Sequence, residues 1–307
     1  MFLAFGIALL LPWNATMANL DYFKGIFPGY GPDFTFLMAV SVPMLGMQMV
    51  SFVLQNYIPL SFKLSACLFL NALVAAGIAI VPQVVSSSVS TCYWIVLCLM
   101  IVQGSAIAFL QSSLYGIAGA SMILSNRLMV GIGIGSVIMN FLRIIFLATV
   151  PDLDTGALVF FSLASGYLLL CAILSIIFLR GYNKHVLAKK QDVDSFIVNM
   201  TDHKSRNENS FMETQKKYQN SLYYRTVKVY KIIYPYALSV AFTYAIQFSF
   251  FPGVILSHKL HFVKDFSWFA IGMITMQNLL DTVGRTLAGI KVLQVNSMLF
   301  FITCLAR

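Results

Sequence analysis

The segment FSWFAIGMITMQNLLDTVGRTLAGI, residues 266–290, decides the fold of this chain. It is long enough to cross a hydrocarbon core of roughly 30 Å as an α-helix. Two ionisable residues, Asp281 and Arg285, interrupt it one helical turn apart. A charge at such depth costs about 2.5–3.5 kcal/mol, and an i,i+4 pair with the acid first offsets part of that cost. We therefore expect both groups to face protein or a water-filled cavity that a polar solute can enter.

Composition extends this interpretation to the whole chain. The residues are 59% hydrophobic and only 10% charged, and the mean hydropathy is +0.82, whereas soluble proteins carry about 25% charged residues. Further apolar segments of spanning length occupy residues 2–20, 34–58, 64–85, 92–118, 128–150, 156–179 and 229–256. A ninth begins at residue 292 and is cut off at 307. We expect an all-α polytopic membrane protein and an incomplete C-terminal part.

The distribution of charge predicts the orientation. Residues 181–228 hold nine Lys or Arg and five Asp or Glu. If this segment is cytoplasmic, Lys63, Arg127 and Lys291 fall in loops on the same side. The opposite side then holds Asp21, Asp33, Asp152, Asp154 and Asp265 with few cations. This positive-inside bias places the N-terminus and the long loop in the cytoplasm, so the net charge of +9 does not indicate a nucleic-acid partner.

The order of the segments predicts three parts. These are a six-helix bundle over residues 1–180, a charged cytoplasmic loop over 181–228, and an incomplete second bundle over 229–307. Two helical halves are typical of transporters with a midplane site. The first segment also has an alternative interpretation as a signal peptide, although it lacks a basic start and Pro12, Trp13 and Asn14 interrupt it.

Residues 92–118 carry a polar stripe at helical spacing, which continues to residue 119. Gln111 and Tyr115 share it with small residues that allow helices to approach closely. Gln111 offers a donor and an acceptor, so it either binds a heteroatom-rich solute or joins two helices. Gln103 lies off the stripe, and we expect it to be a structural contact.

The next segment opens with GIGIG, residues 131–135. No phosphate-loop pattern accompanies these glycines, so Gly131 and Gly135 predict a GxxxG packing face. Asn140 and Arg143 follow on the same helix. Three roles stay open for Arg143: a gate, a partner for Asp281, or a side chain that extends outward to the interface.

In residues 266–290, Gln277 and Asn278 precede the charged pair within one turn. The planar donors of arginine and the paired acceptors of aspartate suit vicinal hydroxyls or a flat nitrogenous ring. The alternative is a buried ion pair that locks helices together. The sequence holds no catalytic triad and no metal-ligand spacing within the apolar segments, so we expect no enzyme, no metal and no cofactor.

Three motifs together resemble the equilibrative nucleoside transporter family. They are LLPWN at residues 10–14, QSSLYGIAG at 111–119 and NLLDTVGR at 278–285. Their order and spacing agree with that family, and the resemblance extends over essentially the whole chain. It implies a major-facilitator-like bundle of eleven helices that moves nucleosides or nucleobases by alternating access, without coupling to another solute.

The resemblance also implies residue roles. Trp13 packs against the nucleobase with Leu10 and Met17 on the same wall, and Gln111 bonds the base. Asp281 and Arg285 bind polar edges of the sugar or base, with a lesser contribution from Asn278. Asn14 and Arg143 are expected as gating or structural polar residues. Ser112 departs from the family, which has glycine there, so helix approach at that point is expected to differ.

Two alternative functions remain at this stage. Asp281 is the only acid expected at depth, so its protonation could couple purine uptake to protons. Because the last helices of the family plan are missing, the chain could also be a truncated, non-transporting membrane paralogue. In either transport hypothesis the partners are the solute and the lipid bilayer, and we expect the plasma membrane.

Overall fold

The computed structural model describes residues 1–201 apart from 55, 56, 86, 87, 120 and 151, and then residues 234, 238–243 and 266–289. Within these residues the chain is helical and contains no strand. We number the helices α1 (Phe2–Ala18), α2 (Leu20–Ile26), α3 (Pro32–Val53), α4 (Leu60–Val84), α5 (Val89–Ala118), α6 (Met122–Thr149), α7 (Leu153–Thr201) and α8 (Phe266–Ala288). The prediction of an all-α polytopic membrane protein is confirmed.

Five of the described helices, α3 to α7, contain stretches long and apolar enough to span a membrane. A sixth span results if α1 and α2, which meet at an angle of 49°, count as one. Helix α8 has 23 residues but is not among these spans, because its polar side chains lower its hydropathy. The segments predicted at residues 229–256 and from residue 292 lie almost wholly outside the described residues.

The bend between α1 and α2 lies at Asn19, between Ala18 and Leu20. Within α1, Pro12 has no backbone donor, and Thr16 Oγ1 donates to the Pro12 carbonyl at 3.0 Å. At the junction, Asn19 Nδ2 donates to the Ala15 carbonyl at 2.8 Å and so satisfies an orphan acceptor at the end of α1. The first apolar segment is therefore a broken helix rather than one straight span.

Helix α6 lies between α1 and α8, and its glycines allow both contacts. A Cβ on Gly131 would collide with the carbonyl oxygen of Leu3, and one on Gly135 would lie 3.0 Å from Ile7 Cα. This confirms the predicted packing face. Gly133 points elsewhere, since a Cβ there would lie 3.0 Å from Thr282 Cα on α8. Gly131 and Gly135 thus contact α1, whereas Gly133 contacts α8.

Helix α5 packs against α3 and α4. Gly104 permits the first contact, because an added Cβ would collide with the Val40 carbonyl oxygen of α3. Helix α7 contacts α4 through Ser165 Oγ, which donates to the Ala72 carbonyl at 2.9 Å. Tyr167 Oη likewise donates to the Ala4 carbonyl of α1 at 3.1 Å. These bonds satisfy hydroxyl groups that lipid could not.

Two predicted loop residues belong to helices instead. Lys63 lies in the first turn of α4 and is only 5% exposed, and Asp21 lies in α2 with its side chain 6% exposed. Counting them as loop charges was wrong, since each has polar partners from another helix. Helix α7 also continues to Thr201, into the segment predicted as a charged loop.

The chain divides into two compact units. The first comprises Met1–Phe178 with Pro252–Leu293 and contains α1 to α6, most of the spanning part of α7, and α8. The second comprises Leu179–Phe251 with Gln294–Arg307, and few of its residues are described. The predicted boundaries at residues 180 and 228 stay predictions, and all the candidate site residues lie in the first unit.

Candidate functional site

The charged pair on α8 forms as the spacing predicts. Arg285 Nε donates to Asp281 Oδ2 at 2.7 Å. The side chains are 45% exposed for Asp281 and 20% for Arg285, so the pair is not a sealed structural lock within the first unit. The neighbouring Thr282 packs on Gly133 of α6, and this contact fixes the position of the pair along α6.

Met129 of α6 joins this pair to the polar stripe of α5. Arg285 Nη1 contacts Met129 Sδ at 3.5 Å, and Tyr115 Oη contacts the same sulfur at 4.0 Å. Tyr115 lies one turn from Gln111. Sequence reasoning missed Met129, because a methionine in an apolar segment carries no pattern that marks it as a polar contact.

Gln111 takes part in a polar cluster that links three helices. Gln48 Nε2 of α3 donates to Gln111 Oε1 at 3.1 Å. One residue along α5, Ser112 Oγ lies 2.5 Å from Ser51 Oγ of α3. Ser51 Oγ also accepts from Lys63 Nζ of α4 at 2.9 Å. The serine that replaces the expected glycine therefore makes a specific contact between α3 and α5.

The residues predicted on α1 divide by environment. Trp13 and Leu10 are half-buried, whereas Met17 is buried. Asn14 Nδ2 donates to Ser136 Oγ of α6 at 2.8 Å, which gives Asn14 a structural contact. No hydrogen bond between described residues links Trp13 to Gln111 or Asp281, but α1 does contact both α5 and α8.

Arg143 is the most buried charge in the described chain, at 1% exposure. Its Nη2 lies 2.8 Å and 3.0 Å from the two carboxylate oxygens of Asp21. Of the three roles left open by the sequence, pairing with Asp281 and extension to the interface are both wrong. The partner is an acid that the sequence had assigned to a loop, and its side chain is only 6% exposed.

Several buried polar atoms lack a hydrogen-bond partner. Both amide atoms of Gln103 are among them, as are Asn140 Oδ1 and Gln277 Oε1. Asn140 Nδ2 makes only a long contact of 3.5 Å with the Ile274 carbonyl of α8. Such groups are rare in folded proteins, and two of them lie on α6 and α8, the helices that carry Gly133 and the charged pair.

Outside the spans, Asp152 begins α7 as a helix cap. Its carboxylate accepts from Thr155 Oγ1 at 2.5 Å and from the Thr155 backbone at 3.1 Å. These bonds favour the ionised form and lower the pKa of Asp152 below its ordinary value. Among the residues that the structure describes, no group of His, Cys, Asp or Glu could hold a metal ion.

The chain is similar to a known family of proteins. The model of a family described as nucleoside transporter matches residues 95–307. The chain is 24% identical to equilibrative nucleotide transporter 1 of Arabidopsis thaliana over 94% of its own length and 64% of that protein. It is also 24% identical to equilibrative nucleotide transporter 7 of the same plant over 97% of its length and 74% of that protein. The chain therefore spans less than two thirds of the first relative, and the family match includes Gln111, Asp281 and Arg285 but not Trp13.

Proposed function

Because the chain belongs to the nucleoside transporter family, we propose that this multi-pass membrane protein moves nucleosides or nucleobases by facilitative alternating access. The observation that carries the proposal is the Asp281–Arg285 ion pair, whose Nε–Oδ2 distance is 2.7 Å. Ionisable side chains within membrane bundles cost free energy and are rare, so those that occur usually mark a solute pathway or another functional site. The partial exposure of the pair, 45% at Asp281 and 20% at Arg285, allows a solute to approach it.

The chemistry of the pair suits a nucleoside. The carboxylate of Asp281 can accept from the vicinal hydroxyls of ribose, and a guanidinium such as that of Arg285 is suited to ring nitrogen or carbonyl acceptors. Gln111 can donate through its amide nitrogen, since its oxygen already accepts from Gln48. Trp13, with Leu10 and Met17, supplies an apolar wall, and Asn278 lies one turn before Thr282 on α8.

The orientation rests on the charge pattern that remains without Lys63 and Asp21, chiefly the nine Lys or Arg of residues 181–228. We propose that the protein lies in the plasma membrane with its N-terminus and residues 181–228 on the cytoplasmic side. Asp21, at the start of α2, then pairs with Arg143 in the outer half of α6, and this pair gives Arg143 the role of a closing contact. The alternative of proton-coupled uptake is tested by the pH dependence of transport.

Uptake of radiolabelled adenosine into proteoliposomes tests the proposal. We expect saturable uptake in the wild type. Asp281→Asn and Arg285→Gln should each lower kcat/KM by about 10- to 100-fold, since a hydrogen bond to a charged group contributes about 1.5–3 kcal/mol. Uptake that is insensitive to pH and to a protonophore supports the facilitative mechanism over proton coupling.

Matched controls make the same chemical changes at exposed positions. Asp154 and Arg127 are both exposed, so Asp154→Asn and Arg127→Gln should leave uptake near the wild-type value. Normal uptake in both α8 variants would refute the assignment of the site. Absence of saturable uptake in the wild-type protein would refute the function itself.

A further inference from the structure

Lys63 is a buried cation to which the described part of the chain supplies no counter-charge. It is 5% exposed, and among the described ion pairs none involves it. Its Nζ donates to Ser51 Oγ at 2.9 Å and to the Ser51 carbonyl at 3.3 Å. Both acceptors are neutral. Removing an ammonium from water is strongly unfavourable unless an anion compensates it, so this site is incomplete as it stands.

The groups around Lys63 add neutral donors to its positive charge. Ser112 Oγ lies 2.5 Å from Ser51 Oγ, so the two hydroxyls and the ammonium form one connected cluster from α3, α4 and α5. The ring of Phe109 covers another side, with its centroid 5.3 Å from Nζ. Without a ligand, Ser112 Oγ donates to the Phe109 carbonyl at 3.0 Å. Rotation of the two hydroxyls toward an anion beside the ammonium would give a donor set of the kind that binds a phosphate or similar oxyanion.

The cluster adjoins the proposed solute site. Ser112 follows Gln111 in the chain, and the Gln48–Gln111 bond of 3.1 Å lies one turn along α3 from Ser51. Gln48, Gln111 and Ser112 are partly exposed, whereas Ser51 and Lys63 are buried. The open side of the cluster is therefore the side that carries Gln111, which favours a ligand that contacts Gln111 and reaches Lys63.

We propose that Lys63, Ser51 and Ser112 form a subsite for the phosphate of a nucleoside monophosphate. This inference rests on the proposed function and extends its substrate class from neutral nucleosides to their phosphorylated forms. The nucleoside part occupies the side of Gln111, and the phosphate supplies the negative charge that Lys63 lacks. A phospholipid headgroup and free phosphate share this chemistry, and the experiment separates them from the nucleotide.

The test uses the full-length protein in phosphatidylcholine vesicles without phosphatase. AMP should inhibit the uptake of radiolabelled adenosine and should raise the melting temperature of the protein. In Lys63→Met the AMP concentration for half-inhibition should rise roughly tenfold or more, while the KM for adenosine stays within about twofold. Lys63→Arg, which keeps the charge, should retain inhibition by AMP. Arg127→Gln removes an exposed cation and should have no effect.

Several results would overturn the subsite. These are no inhibition by AMP in the wild type, equal inhibition in wild type and Lys63→Met, or an equal loss of adenosine and AMP recognition in Lys63→Met. Inorganic phosphate acting as strongly as AMP would assign the site to free phosphate instead. Loss of AMP inhibition in vesicles with phosphatidylglycerol would assign it to a lipid headgroup. If adenosine is not transported at all, the proposed function fails, while Lys63-dependent stabilisation by AMP would still support the subsite.

Discussion

Removing Arg143 tests how the buried ion pair with Asp21 contributes to the fold. Both side chains are buried, at 1% and 6% exposure, and Arg143 Nη2 reaches both carboxylate oxygens. Arg143→Met leaves the Asp21 carboxylate buried without a partner, which costs about 3–5 kcal/mol. Asp21→Asn likewise leaves the Arg143 guanidinium buried without a counter-charge. The double variant has neither charge, so it should be more stable than either single variant.

The assay is a double-mutant cycle of unfolding free energy, measured by denaturant titration of the protein in detergent. We expect the two substitutions to be non-additive by about 2 kcal/mol or more, within the range known for contacting charges. Asp154→Asn, at an exposed position near the start of α7, serves as the control and should be nearly neutral. Strict additivity of the two single variants would show that the contact contributes nothing, and the argument for a closing ion pair would be wrong.

Three further predictions follow from individual contacts. Gly133→Ala should raise the KM for adenosine, because the new Cβ would lie 2.8 Å from Thr282 Oγ1 and would push α8 and its ion pair outward. Gly272→Ala is the control: nothing lies within 4 Å of its Cβ, so this variant should transport normally. If Asp281 accepts from ribose, 3′-deoxyadenosine should compete about tenfold more weakly than adenosine in the wild type, and the two should compete equally in Asp281→Asn; an unchanged ratio would contradict that role. The lowered pKa of Asp152 means that its cap on α7 is fully formed above the ordinary carboxyl pKa and is lost as pH falls through the lowered value. Thr155→Val should therefore shift the acid fraying of the first turn of α7 to higher pH, as measured by hydrogen exchange corrected for intrinsic rates.

The features predicted correctly from sequence depend on local spacing. Asp281 and Arg285 are four residues apart on one helix, so their ion pair requires no knowledge of the fold. The packing of Gly131 and Gly135 likewise follows from their position on a single helical face, although the sequence did not say that α1 is the partner. The family match over residues 95–307 agrees with the resemblance that the motifs indicated.

The contacts that the sequence did not predict all join distant segments. Arg143 and Asp21 are 122 positions apart, and from the sequence Asp281, but not Asp21, was considered as a partner for Arg143. Lys63 was placed in a loop because charged residues at the edges of apolar segments normally reach water. Its hydrogen bonds to Ser51 become visible only when α3 and α4 are placed side by side. Side-chain partners across helices depend on rotation and depth, which hydropathy alone does not determine.

The two contacts of α6 differ in a way that bears on alternating access. Toward α1 and α2 it has close backbone packing at two glycines, the 2.8 Å bond from Asn14 to Ser136, and the buried Arg143–Asp21 pair. Its side toward α8 has close packing at one glycine, Gly133, a sulfur contact from Met129 to Arg285, one long hydrogen bond of 3.5 Å and an orphan acceptor on each helix. Unsatisfied buried groups cost free energy that a rearrangement can recover, and a methionine such as Met129 can keep contact with a moving partner. If one of these contacts changes during transport, the α6–α8 contact costs less free energy to rearrange than the contact of α6 with α1 and α2. Its movement would carry Asp281 and Arg285 while the part formed by α1, α2 and α6 stays intact.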